Sequence, residues 1–178
     1  MSYTILHGFR EDGEICHINE YKNAHLGAFL VWMETGKKYG IKDVETMLLN
    51  EAKSKEVWGL ARDKNVAVAD RITMISTFDR CVVFSKDFNR LITALRESAK
   101  WLPERCHISK QADDIEKATN VIAVGWTQTS VASDVWSSNE MHIRIGFEIE
   151  EEAPYNLHKH NRHFDLFEEY FKVSLILI

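Results

Sequence analysis

A run of cationic and titratable side chains is the feature of this sequence that bears most directly on chemistry. It contains His158, Lys159, His160, Arg162 and His163, interrupted only by Asn161. If Asn161 caps a helix, the next residues lie in its first turn, where backbone N–H groups and the positive end of the helix dipole favour an anion. Arg162 would bind phosphate oxygens through two N–H groups, and Lys159 would add a point charge. The run therefore predicts a phosphate site.

Two other interpretations fit the same run. In the first, the run is an ordinary solvated loop whose positive charges balance nearby acidic residues. These acidic residues are Glu148, Glu150, Glu151 and Glu152. Alternatively, His158, His160 and His163 could bind a divalent metal, with His142 or a nearby carboxylate as a further ligand. Lys159 and Arg162 oppose this metal site electrostatically. The sequence leaves all three interpretations open.

A strictly alternating stretch, residues 141–150, precedes this run and predicts a strand with one apolar and one polar face. The polar face carries His142, Arg144, Glu148 and Glu150. Arg144 is a second candidate cation for the ligand, and two carboxylates ~6.6 Å apart on one strand face could support acid/base chemistry. A solvated face on which Arg144 pairs with a carboxylate across the strands explains the same pattern.

Trp101 is the third candidate binding residue. Helical spacing places it near Arg90 and Glu97, away from the apolar face of the same helix. An outward tryptophan could stack on a nucleotide base or pack at the centre of a subunit interface. Because Pro103 follows closely, packing against the following loop is the third interpretation.

The composition indicates one folded domain. A chain of 178 residues with 45% hydrophobic side chains is large enough for a sizeable core, and two prolines and eight glycines give no linker. We therefore expect a single domain over residues 1–178. The net charge of -5 argues against coating duplex DNA through the overall field, so phosphate binding must be local.

The cysteines and the apolar runs bear on the compartment. Cys16, Cys81 and Cys106 cannot all pair and form no Cys-x-x-Cys motif, so we expect reduced, mostly buried thiols and a cytoplasmic protein. The N-terminus lacks the apolar centre of a signal peptide. The longest apolar run, residues 26–33, is far shorter than the ~20 residues that span a bilayer.

Local patterns predict an α+β fold of antiparallel β-hairpins packed with about five to six helices. The predicted strands are residues 3–11 and 14–21 around Asp12-Gly13, 71–78 and 81–84, 121–127, and 141–150. The predicted helices are residues 20–39 ended by Gly40, two short helices capped by Asp43 and Ser54, one from Ser85 to Pro103, residues 109–119, and one from Asn161. The apolar residues 173–178 must dock against protein, which favours a homo-oligomer.

The sequence thus favours a cytoplasmic binding protein, more readily than an enzyme, for a nucleotide or a short single-stranded nucleic acid. The expected ligand contacts are His158, Lys159, His160, Arg162, His163, Trp101 and Arg144. A metal-dependent hydrolase using His158, His160 and His163 is one alternative, and it would need a divalent metal as cofactor. An oligomeric scaffold or inhibitor that acts through protein contacts is the other.

Overall fold

The computed structural model describes residues 2–12, 14–23, 29–47, 49–77 and 81–128. Within these ranges, four strands form one antiparallel sheet in the order β2-β1-β4-β3: β1 Ser2–Phe9, β2 Ile15–Asn23, β3 Val82–Phe84 and β4 Ala123–Gln128. The same part of the chain holds five α-helices: α1 Phe29–Lys38, α2 Glu51–Gly59, α3 Val68–Ser76, α4 Phe88–Ala99 and α5 Ile108–Lys117. This is the α+β class that the sequence predicts. The predicted strand 141–150, the helix from Asn161 and the apolar residues 173–178 lie outside the described residues.

The first hairpin is confirmed. β1 pairs with β2 along its whole length, with one register shift between Leu6 and His7. The Arg10 N–H donates to the Glu14 carbonyl at 2.9 Å, and the Glu14 N–H donates to Oδ1 of Asp12 at 2.9 Å. Asp12 thus fixes the turn through its side chain, as short polar residues commonly do.

The predicted start of the first helix is wrong, and its predicted end is right. Residues 20–23 belong to β2, because Tyr21 is buried while Glu20 and Lys22 are exposed, which is strand alternation. α1 begins at Phe29 and ends in a Schellman motif around Gly40, whose φ is 80°. In this motif the Gly40 N–H donates to the Lys37 carbonyl, and the Ile41 N–H donates to the Gly36 carbonyl.

The predicted second hairpin does not form, because the segment assigned to its first strand is helix α3. Its β-branched and hydroxyl residues favour a strand in isolation. In the fold, seven of its nine residues are buried, so no single apolar stripe marks a helix. The hydroxyls suit the helix because Ser76 and Thr77 donate to the carbonyls of Thr73 and Met74. The remaining strand of that hairpin, β3, pairs with β4.

The predicted caps also need correction. α2 begins after Asn50, whose side chain accepts from the Lys53 N–H at 3.1 Å, whereas Ser54 lies inside the helix and donates to the Met47 carbonyl. Asp43 precedes only a short 3-10 turn, Val44–Thr46, and makes no side-chain cap there. Ser85 begins a 3-10 turn, Ser85–Asp87, ahead of α4. Several local signals could cap each helix, and tertiary packing selects among them.

The main core lies where the sheet meets α3, α4 and α5. Leu91 and Leu95 of α4 pack in one buried cluster with Val124 and Trp126 of β4. This confirms α4 as the amphipathic helix that the apolar spacing predicts, packed on the sheet. A smaller cluster beneath α2 holds Val44, Met47, Val57, Leu60, Val66 and Met74.

In the part of the chain that the structure describes, we find no helix that has both the length and the apolar character needed to span a membrane.

Candidate functional site

The most elaborate polar arrangement among the described residues surrounds the carboxylate of Asp70. This side chain is 3% exposed and accepts four hydrogen bonds. Oδ2 accepts from Nζ of Lys38 at 2.6 Å and from the Tyr39 hydroxyl at 2.7 Å. Oδ1 accepts from the Ser98 hydroxyl at 2.9 Å and from Nε1 of Trp101 at 3.0 Å. We refer to Asp70, Lys38, Tyr39, Ser98 and Trp101 as the Asp70 cluster.

Three separate elements bring the Asp70 cluster together. Asp70 lies in the first turn of α3, where the helix dipole favours a carboxylate. Lys38 is the last residue of α1, and Tyr39 follows it. Ser98 lies in the last turn of α4, and Trp101 lies in the turn that follows. One buried anion therefore joins the ends of α1 and α4 to the start of α3.

The electrostatics of the cluster keep Asp70 ionised. Burial works to raise its pKa, but the hydrogen bonds from Lys38, Tyr39 and Ser98 and the charge of Lys38 hold the pKa below its usual value. Burial and the bond to Asp70 raise the pKa of Tyr39, against the opposing effect of the Ala67 N–H. Lys38 therefore faces a carboxylate, and Tyr39 stays a neutral donor.

Trp101 does not continue the helix whose spacing predicted its outward position. α4 ends at Ala99, so helical spacing no longer applies at Trp101, which packs toward Asp70 and Lys38. The ring is half-buried against the main core, and Nζ of Lys38 lies over it, 4.1 Å from the ring centroid. This distance is within the range of a cation–π contact. Its role as a platform for a ligand base stays a prediction.

The chemistry open to Asp70 follows from its hydrogen bonds. An ionised carboxylate offers about four acceptor positions, and four donors fill them here. Behind Ser98, the Thr73 hydroxyl donates to the Ser98 oxygen at 3.0 Å, which extends the network into the core. In this arrangement Asp70 pairs with the Lys38 ammonium and links three elements of the fold through its hydrogen bonds.

A second polar group joins α5 to β2. The buried Tyr21 hydroxyl donates to Oδ2 of Asp114 at 2.6 Å, and the Asn19 amide donates to the same oxygen at 2.7 Å. Burial, then the bond to Asp114, raises the pKa of Tyr21 far above its usual range. Nε2 of His107 lies 2.6 Å from the Lys22 carbonyl oxygen. Because a carbonyl oxygen only accepts, Nε2 carries a proton and donates it in this hydrogen bond. The His107 ring also stacks on Tyr21. These contacts attach α5 to the sheet.

All three cysteines lie among the described residues. None of the three is in a disulfide; Cys81 and Cys106 are buried and Cys16 is half-buried. Burial raises the pKa of the Cys81 thiol and brings that of Cys106 to about 12. His17 and Cys16 are successive residues of β2, as the sequence predicts. Over the described ranges, no three His, Cys, Asp or Glu side chains come together in a group that could hold a metal ion.

The other predicted site residues lie outside the described residues. They are Arg144, His158, Lys159, His160, Arg162 and His163. Their ligand contacts, and the alternative metal site of His158, His160 and His163, stay predictions.

No family model, curated protein or solved structure matches this chain. The residues themselves must therefore carry any functional argument.

Sequence reasoning missed the Asp70 cluster because its members are far apart in the chain and each has an ordinary local setting. The available signal was Asp70 itself, a carboxylate beside Arg71 in the segment 66–77, whose other residues are apolar or bear hydroxyl groups. A charge in a stretch that becomes buried requires a partner. The wrong strand assignment concealed this requirement, since a strand would have placed Asp70 in a solvated turn.

Proposed function

We propose that this chain is a cytoplasmic, homo-oligomeric binding protein for a phosphate-bearing ligand, either a nucleotide or a short single-stranded nucleic acid. The observation that carries the proposal is the density of cationic and titratable side chains in residues 158–163 of a chain whose net charge is -5. Such a local concentration attracts phosphate where the overall field does not. Arg162 supplies paired N–H groups, Lys159 a point charge, and the imidazoles further donors that strengthen when protonated.

Of the expected ligand contacts, Trp101 is the one that lies among the described residues. Trp101 is half-exposed, but Lys38 covers one face of its ring. A stacked base would use the other face or displace Lys38. Arg144 is kept as the secondary cation.

A titration of tag-free protein with nucleotides and with a short single-stranded oligonucleotide tests the proposal. We expect saturable binding that weakens as salt rises, because phosphate contacts release counterions. Arg162→Ala should weaken binding by about tenfold, which is the loss of one charge-assisted contact. Arg62→Ala, a change at an exposed arginine of the described region, is the matched control and should leave affinity unchanged. Equal affinity of Arg162→Ala and the unchanged protein would refute the assignment.

The exposed apolar side chains favour a second candidate, a scaffold or inhibitor that acts through protein contacts. Leu49 is 96% exposed, and Trp58 is 45% exposed where its ring meets Trp32 edge-on at 5.7 Å. Large apolar side chains in such positions are common at protein interfaces. If Leu49 lies at a contact between subunits, Leu49→Ser should shift the sedimentation profile toward smaller species without lowering the unfolding temperature. An unchanged profile would exclude Leu49 from the contact.

The metal-dependent hydrolase is distinguished by direct metal analysis. It predicts stoichiometric metal in tag-free protein and loss of that metal in His160→Ala. Phosphate binding that survives a chelator would favour the leading proposal over the hydrolase.

A further inference from the structure

The Asp70 cluster has the composition of an ammonium-binding site, and Lys38 occupies it. Nζ of Lys38 lies 2.6 Å from Oδ2 of Asp70, 4.1 Å from the centroid of the Trp101 ring and 5.4 Å from that of Tyr39. A carboxylate and two aromatic faces around one cation are the groups that recognise alkylammonium ligands. This position therefore favours a cation, whereas the ligand proposed above is an anion.

The walls of this site are held in place without Lys38. Asp70 is fixed by bonds from Ser98 and Trp101, and also from Tyr39. The Tyr39 hydroxyl in turn accepts from the Ala67 N–H at 3.0 Å. Because these contacts do not involve the ammonium group, the anion and both rings should keep their positions when it leaves. A site whose walls are already ordered binds a ligand at a smaller entropic cost.

Lys38 differs from the other members in its access to solvent. Its side chain is 37% exposed, whereas the Asp70 side chain is 3% exposed. A long, flexible lysine at a helix end can move into water without disturbing the backbone, since its ammonium is readily hydrated. The buried carboxylate cannot follow it, and it would be left facing Trp101 with one acceptor position open.

We propose that Asp70, Trp101 and Tyr39 form a binding site for the alkylammonium group of a small amine, and that Lys38 is its displaceable internal occupant. An external ammonium competes with Lys38 for the same position. The tethered lysine has the advantage of a high effective concentration. The external ligand must therefore be abundant or make further contacts around the rim.

The test uses Lys38→Ala and propylammonium chloride. Propylammonium replaces the three carbons and the nitrogen that this substitution removes. The readout is the indole N–H resonance of Trp101 in a proton–nitrogen NMR spectrum, identified among the five tryptophans by its loss in Trp101→Phe. We expect a saturable shift of this resonance in Lys38→Ala and an apparent affinity at least about tenfold weaker in the unchanged protein.

Three comparisons make the test specific. Neutral 1-propanol should not shift the resonance, because it lacks the charge that Asp70 selects. Sodium chloride at equal ionic strength should not shift it either. Lys37→Ala, which removes the neighbouring lysine that pairs with Glu34 at 3.1 Å, should respond like the unchanged protein.

The outcomes are decisive in both directions. No saturable shift in Lys38→Ala, or equal responses from Lys38→Ala and Lys37→Ala, would overturn the proposal. If Lys38→Ala is poorly folded, its thermal unfolding midpoint is measured instead; a rise with propylammonium but not with propanol supports the site, and equal effects overturn it. Since the cationic run at residues 158–163 plays no part in this test, its failure leaves the proposed phosphate contacts of that run unaffected, and the reverse also holds.

Discussion

The indole Nε1 of Trp101 lies 3.0 Å from Oδ1 of Asp70, and this bond ties the turn after α4 to the first turn of α3. The same oxygen accepts from Ser98, which lies one turn earlier. The indole N–H of the half-buried Trp101 thus has a hydrogen-bond acceptor. In return, the buried carboxylate of Asp70 gains a donor that offsets the cost of removing its charge from water. The pair accounts for the position of Trp101 as well as for the presence of a charge in α3.

Asp70→Asn should destabilise the protein strongly. Each oxygen of Asp70 accepts two hydrogen bonds, so the amide nitrogen of asparagine would face two donors in either orientation. We expect the free energy of unfolding to fall by about 2–4 kcal/mol, because hydrogen bonds to a buried charged group are lost. Urea denaturation monitored by circular dichroism measures this change.

Asp113→Asn is the matched control for that substitution. Oδ1 of Asp113 pairs with Arg96 at 3.0 Å, but the two side chains are 48% and 43% exposed. Exposed pairs contribute less than about 1 kcal/mol. Comparable losses in the two variants would contradict the structural role of Asp70.

Acid should weaken the fold partly through Asp70. Its pKa in the folded protein is held below the ordinary value of 3.8, so the unfolded chain takes up the proton first as the pH falls. The stabilisation is therefore complete above about pH 5 and is lost as the pH falls through 3.8 toward the folded pKa. Urea midpoints measured from pH 6 to pH 3 should fall less steeply in Asp70→Asn than in the unchanged protein. Parallel curves would assign the acid sensitivity to other carboxylates.

Some elements were predictable because their information is local. The Asp12 turn sets the first hairpin, Gly40 ends α1, and the spacing of Leu91 and Leu95 marks the buried face of α4. In each case neighbouring residues carry both the signal and its structural consequence. Such elements can be predicted before any tertiary contact is known.

The rest depends on contacts between distant residues. α3 is buried on nearly every side, so its sequence lacks the stripe that distinguishes an amphipathic helix, and its β-branched residues mimic a strand. Lys38 lies 32 residues before Asp70 in the chain and Trp101 lies 31 residues after it, and nothing in their local sequence encodes their contact with Asp70. The candidate residues of 158–163 were chosen for their charge density and for the helix predicted from Asn161, and both lie outside the described residues.

The three thiols should differ sharply in reactivity. Burial raises the pKa of Cys106 to about 12, so its thiolate is on the order of a thousandfold scarcer than at the ordinary value of 9.0. Cys81 is completely buried and its pKa is raised as well, whereas Cys16 is half-buried. An aromatic disulfide reagent should therefore label one thiol rapidly in the folded protein and all three in denaturant. Cys16→Ser should abolish the rapid phase, and its persistence would show that one of the buried thiols is accessible.

Two glycines with open surroundings should respond oppositely to the same substitution. A Cβ atom added at Gly40 or at Gly59 meets nothing within 4 Å, so only the backbone conformation distinguishes them. Gly40 has a φ of 80°, in the left-handed region where alanine is strained, whereas Gly59 ends α2 with a φ of -58°. Gly40→Ala should destabilise the protein by about 1 kcal/mol, and Gly59→Ala should stabilise it by about 0.5–1 kcal/mol, since alanine narrows the unfolded ensemble and suits a helix. Thermal unfolding of both variants under one buffer condition measures the difference. A neutral or stabilising effect of Gly40→Ala would mean that the backbone at Gly40 relaxes into an ordinary conformation, in which case the Schellman motif does not control how α1 ends.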